Sequence, residues 1–320
     1  MSFERANVKI AYKPWGSHDL QPWSGIDAGA VAIGELGFDR ADAHDLGPAL
    51  LLKLLFAREP LSIQVHPSDE MAKASGMSNG KTEAWYVLSA EPGAQVGVGL
   101  RRAVTEVELR QAIGDGSICD LLQWHDAAAG DVFFIPSGTI HGMGAGLVIA
   151  EIQQRSDTTF RLFDPGHARQ LHIEQAIAAA DLEATTVEAS RKRLTPARTQ
   201  LVSCDFFVLE LADLPPDSQW ELRTDPETWL LVTAGDADIG PEPAAVGDAF
   251  YVERDRATIT AGASGATILV AYAANVFDQD LLRDLAPFNA ELPAAVELIQ
   301  AMGCLQPTVG LPPNPVRIPS

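Results

Sequence analysis

A histidine at the end of an apolar run is the first side chain here whose setting suggests chemistry. Residues 130–141 read Gly130-Asp131-Val132-Phe133-Phe134-Ile135-Pro136-Ser137-Gly138-Thr139-Ile140-His141. The bulky run predicts a buried strand, and Pro-x-Gly predicts the tight turn that ends it. His141 then emerges where a rigid sheet can aim its imidazole inward. His66 has a comparable setting in Leu61-Ser62-Ile63-Gln64-Val65-His66-Pro67. Residues two apart on a strand share a face, so Gln64 and His66 point together while Ile63 and Val65 pack behind. Further on, Gly80-Lys81-Thr82-Glu83-Ala84-Trp85-Tyr86-Val87-Leu88 is rich in aromatic and β-branched residues. It predicts another strand, with Glu83 near its start. Two neutral imidazoles, a carboxylate and an amide oxygen suit Zn²⁺ or a similar divalent ion, and a catalytic ion keeps positions for water or substrate oxygens.

The spacing Gly-x5-Pro-x-Gly-x2-His resembles the second motif of a cupin barrel, whose histidine is a metal ligand. The asparagine expected four residues later is missing, since Ala145 stands there. Four strings in order, LSIQVHPSDE, GKTEAWYVL, GDVFFIPSGTIHGMGAG and AEIQQRSDTTFRLFD, are similar to the short bacterial class of type I mannose-6-phosphate isomerases. The resemblance runs from near Lys13 to near Ile173, about half the chain. It implies a zinc-dependent aldose–ketose isomerase interconverting mannose 6-phosphate and fructose 6-phosphate, with one Zn²⁺ per chain. The implied metal ligands are Gln64, His66, Glu83 and His141. Arg161 falls on the family's active-site arginine, Lys81 on its Gly-Lys-Thr-Glu lysine, and Glu151 on an acidic pocket residue. Ser62 and Lys53 fall where the substrate phosphate is met.

Each position has a plainer explanation. His66 alone reads as an ordinary strand histidine; it is the grouping that counts, because buried Glu, Gln and His on one face are costly without a partner. Glu83 and Lys81 could form a surface pair, of little energetic worth. Lys53 stands in the apolar run Leu50-Leu51-Leu52-Lys53-Leu54-Leu55-Phe56, where it either snorkels to water or meets an anion. Arg161 could pair with Asp157 or Asp164, and Arg155 either adds positive potential at the pocket rim or is a solvated charge, the second being the preferred reading. His18, His44, His125, His167 and His172 read as structural or surface residues.

The chemistry of such an isomerase moves a proton between C2 and C1 through an enediol. Developing oxyanion charge needs a preorganised positive partner, which a Lewis-acidic Zn²⁺ and an always-charged Arg161 would supply. The base that lifts the C2 proton could be Lys81, Glu151 or a metal-bound water. Two rivals stand beside this reading: another metal cupin, such as an iron dioxygenase with three His and one Glu, and a sugar-phosphate binder without catalysis.

Composition sets the background. A chain of 320 residues with 47% apolar content can bury large cores. The net charge of −20 argues against nucleic acid or an anionic membrane as partner. The substrate expected is a small sugar phosphate, held by a local positive patch, in a monomer or homodimer. With no long apolar run and no apolar leader, the expected compartment is the cytoplasm. Cys119, Cys204 and Cys304 suggest no disulfide framework.

The expected fold is mainly β, with two cupin-like (jelly-roll) β-barrel lobes, a few helices and a metal site in the first lobe only. The expected division is a catalytic lobe at 1–184, a second lobe at 200–276 and a helical, Pro-rich tail at 277–320. The capping box Thr105-Glu106-Val107-Glu108 opens a helix through Ile113. Helices are also expected over 117–124, 172–181, 278–283 and 293–302, with a Pro-broken linker over 185–199. Gly247-Asp248-Ala249-Phe250-Tyr251-Val252 echoes residues 130–135, but Glu253 replaces the Pro and no histidine follows His172.

Overall fold

The structure is a computed structural model that describes residues 2–41, 47–164, 166–167, 169–184 and 191–285. The protein is mainly β, as expected, and its strands form three sheets. A six-stranded sheet runs in the order Asn7–Ser17, Ile33–Asp39, Leu50–Ala57, Leu147–Gln154, Glu83–Ala90 and Val132–Ile135. A five-stranded sheet runs Phe160–Phe163, Ile63–Val65, His141–Met143, Gln95–Leu100 and Leu122–Asp126. The third, ten-stranded, is built from residues from Lys192 onward together with the N-terminal strand Ser2–Arg5.

Alternation along Leu50–Ala57 shows how one strand serves two surfaces. Leu50, Leu52, Leu54 and Phe56 are buried in a core that also contains Leu201, Phe207, Trp229 and Tyr251. The opposite face carries Leu51, Lys53 and Leu55 to an open cleft. The neighbouring strand behaves alike: Ala150 and Ile152 join that core, and Glu151 faces the cleft. A lysine inside a leucine run is therefore an ordinary period-two pattern, not an anomaly.

The echo between residues 130–135 and 247–252 extends to the backbone. Gly130 and Gly247 both have left-handed φ, 92° and 91°. Each following aspartate accepts from the backbone N–H three residues earlier, Asp131 from Ala128 at 2.8 Å and Asp248 from Ala245 at 2.9 Å. The same turn is thus built twice, and only the first leads to a histidine.

Helix Glu106–Asp115 begins with the Thr105 hydroxyl accepting from Glu108 N–H and ends at Gly116 in the left-handed conformation. Helix Ile173–Ala179 lies where one was expected. The helix expected over 117–124 is only Ile118–Leu121. Leu122–Asp126 is instead a strand pairing with Gln95–Leu100, since Leu122 fills a core that a longer helix would turn it away from. The helix expected over 278–283 is replaced by strand Leu282–Asp284, paired with Gln219–Thr224. Residues 185–190 of the expected linker and the expected helix at 293–302 lie outside the described residues. The rest of the linker enters strands Lys192–Arg193 and Arg198–Ser203. Among the described residues, no helix is long and apolar enough to cross a membrane.

Candidate active site and metal centre

His141 opens strand His141–Met143 and pairs directly with Gln64, while Gln64 also pairs with Arg161 on its other side. This short-strand register brings three distant segments to one point. Across from it, Glu83 begins its strand and pairs with Gln153. The ligand atoms of His66, Glu83 and His141 all lie within 4.8 Å of one another, and all three residues are buried.

Both histidines are oriented the way metal ligands are. His66 Nδ1–H donates to the Thr158 carbonyl at 2.8 Å, and His141 Nδ1–H donates to the Thr139 carbonyl at 2.9 Å. Those bonds fix the tautomer and leave each Nε2 lone pair facing inward. Nε2 of His66 is 3.5 Å from Glu83 Oε2, and Nε2 of His141 is 3.3 Å from Glu83 Oε1. Burial holds both imidazoles neutral, lowering His141 to about 3 and His66 in the same direction. Burial pushes Glu83 upward, but Lys81 and His66 outweigh it and hold the carboxylate well below its ordinary range.

The donor set fits a divalent cation on one decisive feature. Oε1 of Glu83 accepts no hydrogen bond, although the side chain is wholly buried. Lys81 Nζ engages Oε2 at 2.6 Å, which leaves Oε1 facing the His141 imidazole. A buried carboxylate with unfilled acceptors is costly unless something else fills them. Gln64 Nε2 lies 3.2 Å from His141 Nε2, and its Oε1 accepts from Ser62 at 3.1 Å. Turning that amide over would bring its oxygen among the ligand atoms.

Ser62, Gln64, Lys53, Lys81, Glu151 and Arg161 line one cleft of about 630 Å³ beside this cluster. Lys81 is buried rather than on a surface; burial favours its neutral form, but Glu151 and Glu83 raise its pKa above the usual value. Burial raises the Glu151 carboxyl to about 7, against the pull of Lys81 at 3.7 Å. Trp85 Nε1–H donates to Glu151 Oε1 at 3.0 Å and packs edge-on against His141, so one indole contacts both side chains. Lys53 Nζ pairs with the exposed carboxylate of Asp157 at 2.9 Å.

Arg161 does not form the hairpin pair considered for it. Asp164 is taken by Arg169, at 2.8 and 2.7 Å, and the buried Nε of Arg161 has no hydrogen-bond partner. His172 clamps the backbone instead, accepting from Arg161 N–H at 3.2 Å. Arg155 is also not a solvated charge. It lines the cleft, half-buried, and packs over Gly47, where a Cβ would come within 2.5 Å of its guanidinium carbon. Sequence reasoning missed Gln153, whose Oε1 is buried without a donor, and Trp85 as a positioning group. The alternation that puts Glu151 and Gln153 on one strand face, the latter paired with Glu83, could have shown the first.

No family model matches the chain. The mannose-6-phosphate isomerase of Streptococcus mutans is 42% identical over 170 residues, covering 50% of this chain and 53% of that relative. The chain resembles mannose-6-phosphate isomerases. It spans about half the length of the curated relatives it matches. The crystal structure of the mannose 6-phosphate isomerase from Bacillus subtilis superposes with a TM-score of 0.73 at 24% identity, over 85% of this chain and all of that one. A variant of phosphomannose isomerase from Salmonella typhimurium matches with a TM-score of 0.68 at 14% identity, over 86% of this chain and 100% of that one. These structural likenesses establish the fold, which this chain shares with solved phosphomannose isomerases.

Proposed function

We propose that this protein is a zinc-dependent aldose–ketose isomerase that interconverts mannose 6-phosphate and fructose 6-phosphate through an enediol. The observation that carries the reading is Glu83, buried with its Oε1 unfilled between two neutral imidazoles whose Nε2 atoms face the carboxylate. Gln64, His66, Glu83 and His141 would hold the ion. Bound there, it would supply Lewis acidity at the sugar oxygens and a template for the open chain.

The protein's own groups account for the rest. Lys53 and Ser62 bind the phosphate, and Arg161 places fixed positive charge against the developing enediolate. Glu151 takes the C2 proton and returns it at C1. Trp85 holds its Oε1, and its Oε2 makes no hydrogen bond among the described residues, so that oxygen is free to accept. Lys81 lies between Glu83 and Glu151 and offsets their mutual repulsion, sharing its charge between them. Catalysis falls to the expected lobe at 1–184, while the expected lobe at 200–276 packs behind the cleft wall and carries no ligand. A Gln64 position occupied by an amide favours zinc over redox iron, and a small phosphorylated sugar is the partner. Soluble cytoplasmic operation follows the same reading.

The test is metal analysis of the purified protein with a coupled assay on mannose 6-phosphate, with and without chelator. Stoichiometric zinc and chelator-sensitive turnover are expected. Stoichiometric iron with oxygen uptake, or turnover that survives zinc removal, would overturn the reading. Glu151→Gln should cut turnover by about 10²–10⁴-fold with zinc retained, the range for a general base. Near-normal turnover would remove Glu151 from that role.

A further inference from the structure

Gly37 occupies the middle of the strand Ile33–Asp39 on the floor of the cleft, paired with Lys53 on one side and Lys9 on the other. Its backbone is not in the left-handed region. Among the described residues, a Cβ there would meet nothing nearer than the Lys9 carbonyl oxygen at 3.9 Å. Neighbouring glycines differ: a Cβ at Gly34 would strike Lys13 Cγ at 2.4 Å, and one at Gly16 would strike the Ile33 backbone at 2.4 Å. Packing explains those two and does not explain Gly37. Glycine weakens a strand interior, and its remaining use is to let another group approach the backbone closely.

The cross-strand row Gly37, Lys53, Glu151, Trp85 runs from this gap to the strand that carries Glu83. Three strand spacings separate its ends, about 14 Å. The gap is therefore at the end of the cleft remote from the metal cluster, next to the lysine whose present partner is an exposed aspartate. An incoming anion can take the place of Asp157 on Lys53 and lie over bare backbone.

Resting on the isomerase reading, we infer that Gly37 is a specificity-determining residue. The space above it receives the phosphate-bearing end of the sugar phosphate, beside Lys53. A side chain at this position fills the space without touching the metal cluster.

Gly37→Val tests this, because a β-branched residue suits a strand and the open space gives it room. Melting temperature and zinc content are expected at wild-type values. Inorganic phosphate, measured by calorimetry, should bind about tenfold more weakly, and KM for mannose 6-phosphate should rise about tenfold with kcat within about threefold. Unphosphorylated mannose should lose less than about threefold in kcat/KM. Gly37→Ala should show the same pattern with smaller amplitude. Unchanged phosphate affinity, or equal losses for both sugars, overturns the inference. If wild-type protein does not turn over mannose 6-phosphate yet phosphate binding still falls in the variant, the proposed function fails and the anion subsite stands.

Discussion

Arg198 and Glu210, in the ten-stranded sheet, are buried as deeply as His66, Glu83 and His141, but their polar atoms are all engaged. Arg198 donates to both oxygens of Glu210 at 2.8 and 2.9 Å, and to the carbonyls of Asp278 at 2.6 Å and Gln279 at 3.2 Å. Tyr272 donates to Glu210 at 2.6 Å and accepts from Asp278 N–H at 3.1 Å. Among the described residues, the buried side-chain atoms without a hydrogen-bond partner all lie between Trp15 and His167. Both regions contain the same Gly-Asp turn and the same period-two strands. One region closed its polar cluster on itself, and the other left a buried carboxylate oxygen of Glu83 unfilled between two imidazoles beside a cleft. A closed network specifies structure, whereas an open one is completed by something from outside.

Removing a member of each cluster should separate these roles, and the largest effect is expected at the open one. If the proposed function holds, His141→Ala should bind no zinc and reduce turnover by more than the roughly 10–100-fold seen when groups that merely support a ligand are removed. Elemental analysis and the coupled assay report both; a variant that keeps zinc and rate would place His141 with the structural residues. Arg198→Met should leave turnover per folded molecule intact but cost about 3–5 kcal/mol in urea denaturation, because Glu210 is then buried without its partner. A loss below about 1 kcal/mol would show the closed network to be dispensable.

Metal should stabilise the open cluster only. Zinc at a hundredfold excess over its dissociation constant should add about 2.7 kcal/mol to wild-type stability and nothing to Glu83→Gln. Equal stabilisation of both proteins would mean that zinc binds elsewhere.

The smallest effect is expected where the two regions meet. Glu227 accepts from the backbone N–H groups of Ala49 and Leu50 and from Trp229 Nε1. Burial raises its pKa above the ordinary 4.5, only partly offset by those bonds. The folded state therefore holds this proton more tightly than the unfolded chain. Stability from this group is present below the ordinary value and is lost as pH rises through the folded one. Glu227→Gln should remove that loss, so its stability relative to wild type should improve as pH rises through the window. Denaturation curves on either side of it would show an opposite trend if the carboxylate were instead favoured.

The strands around His66, Glu83 and His141 were legible because local pattern controls them. Alternating side chains, a Pro-x-Gly stop and a capping box each act over a few residues. The helices expected over 117–124 and 278–283 failed for the opposite reason. Leu122 and Leu282 are claimed by distant strands, and tertiary pairing outweighs weak local preference. The choice between the two readings of Arg155 went to the rim of the cleft because nothing near it in sequence reveals the space over Gly47.

What the sequence determined alone is the inventory: which segments can be strands, and that His, Gln and Glu recur at their ends. Only the tertiary structure decided which acceptors remain unfilled and where the cleft stays open over Gly37. Hydrogen-bond satisfaction and free space depend on every neighbour at once, and those neighbours, such as Gln64 and His141 or Glu83 and Gln153, are far apart in the chain.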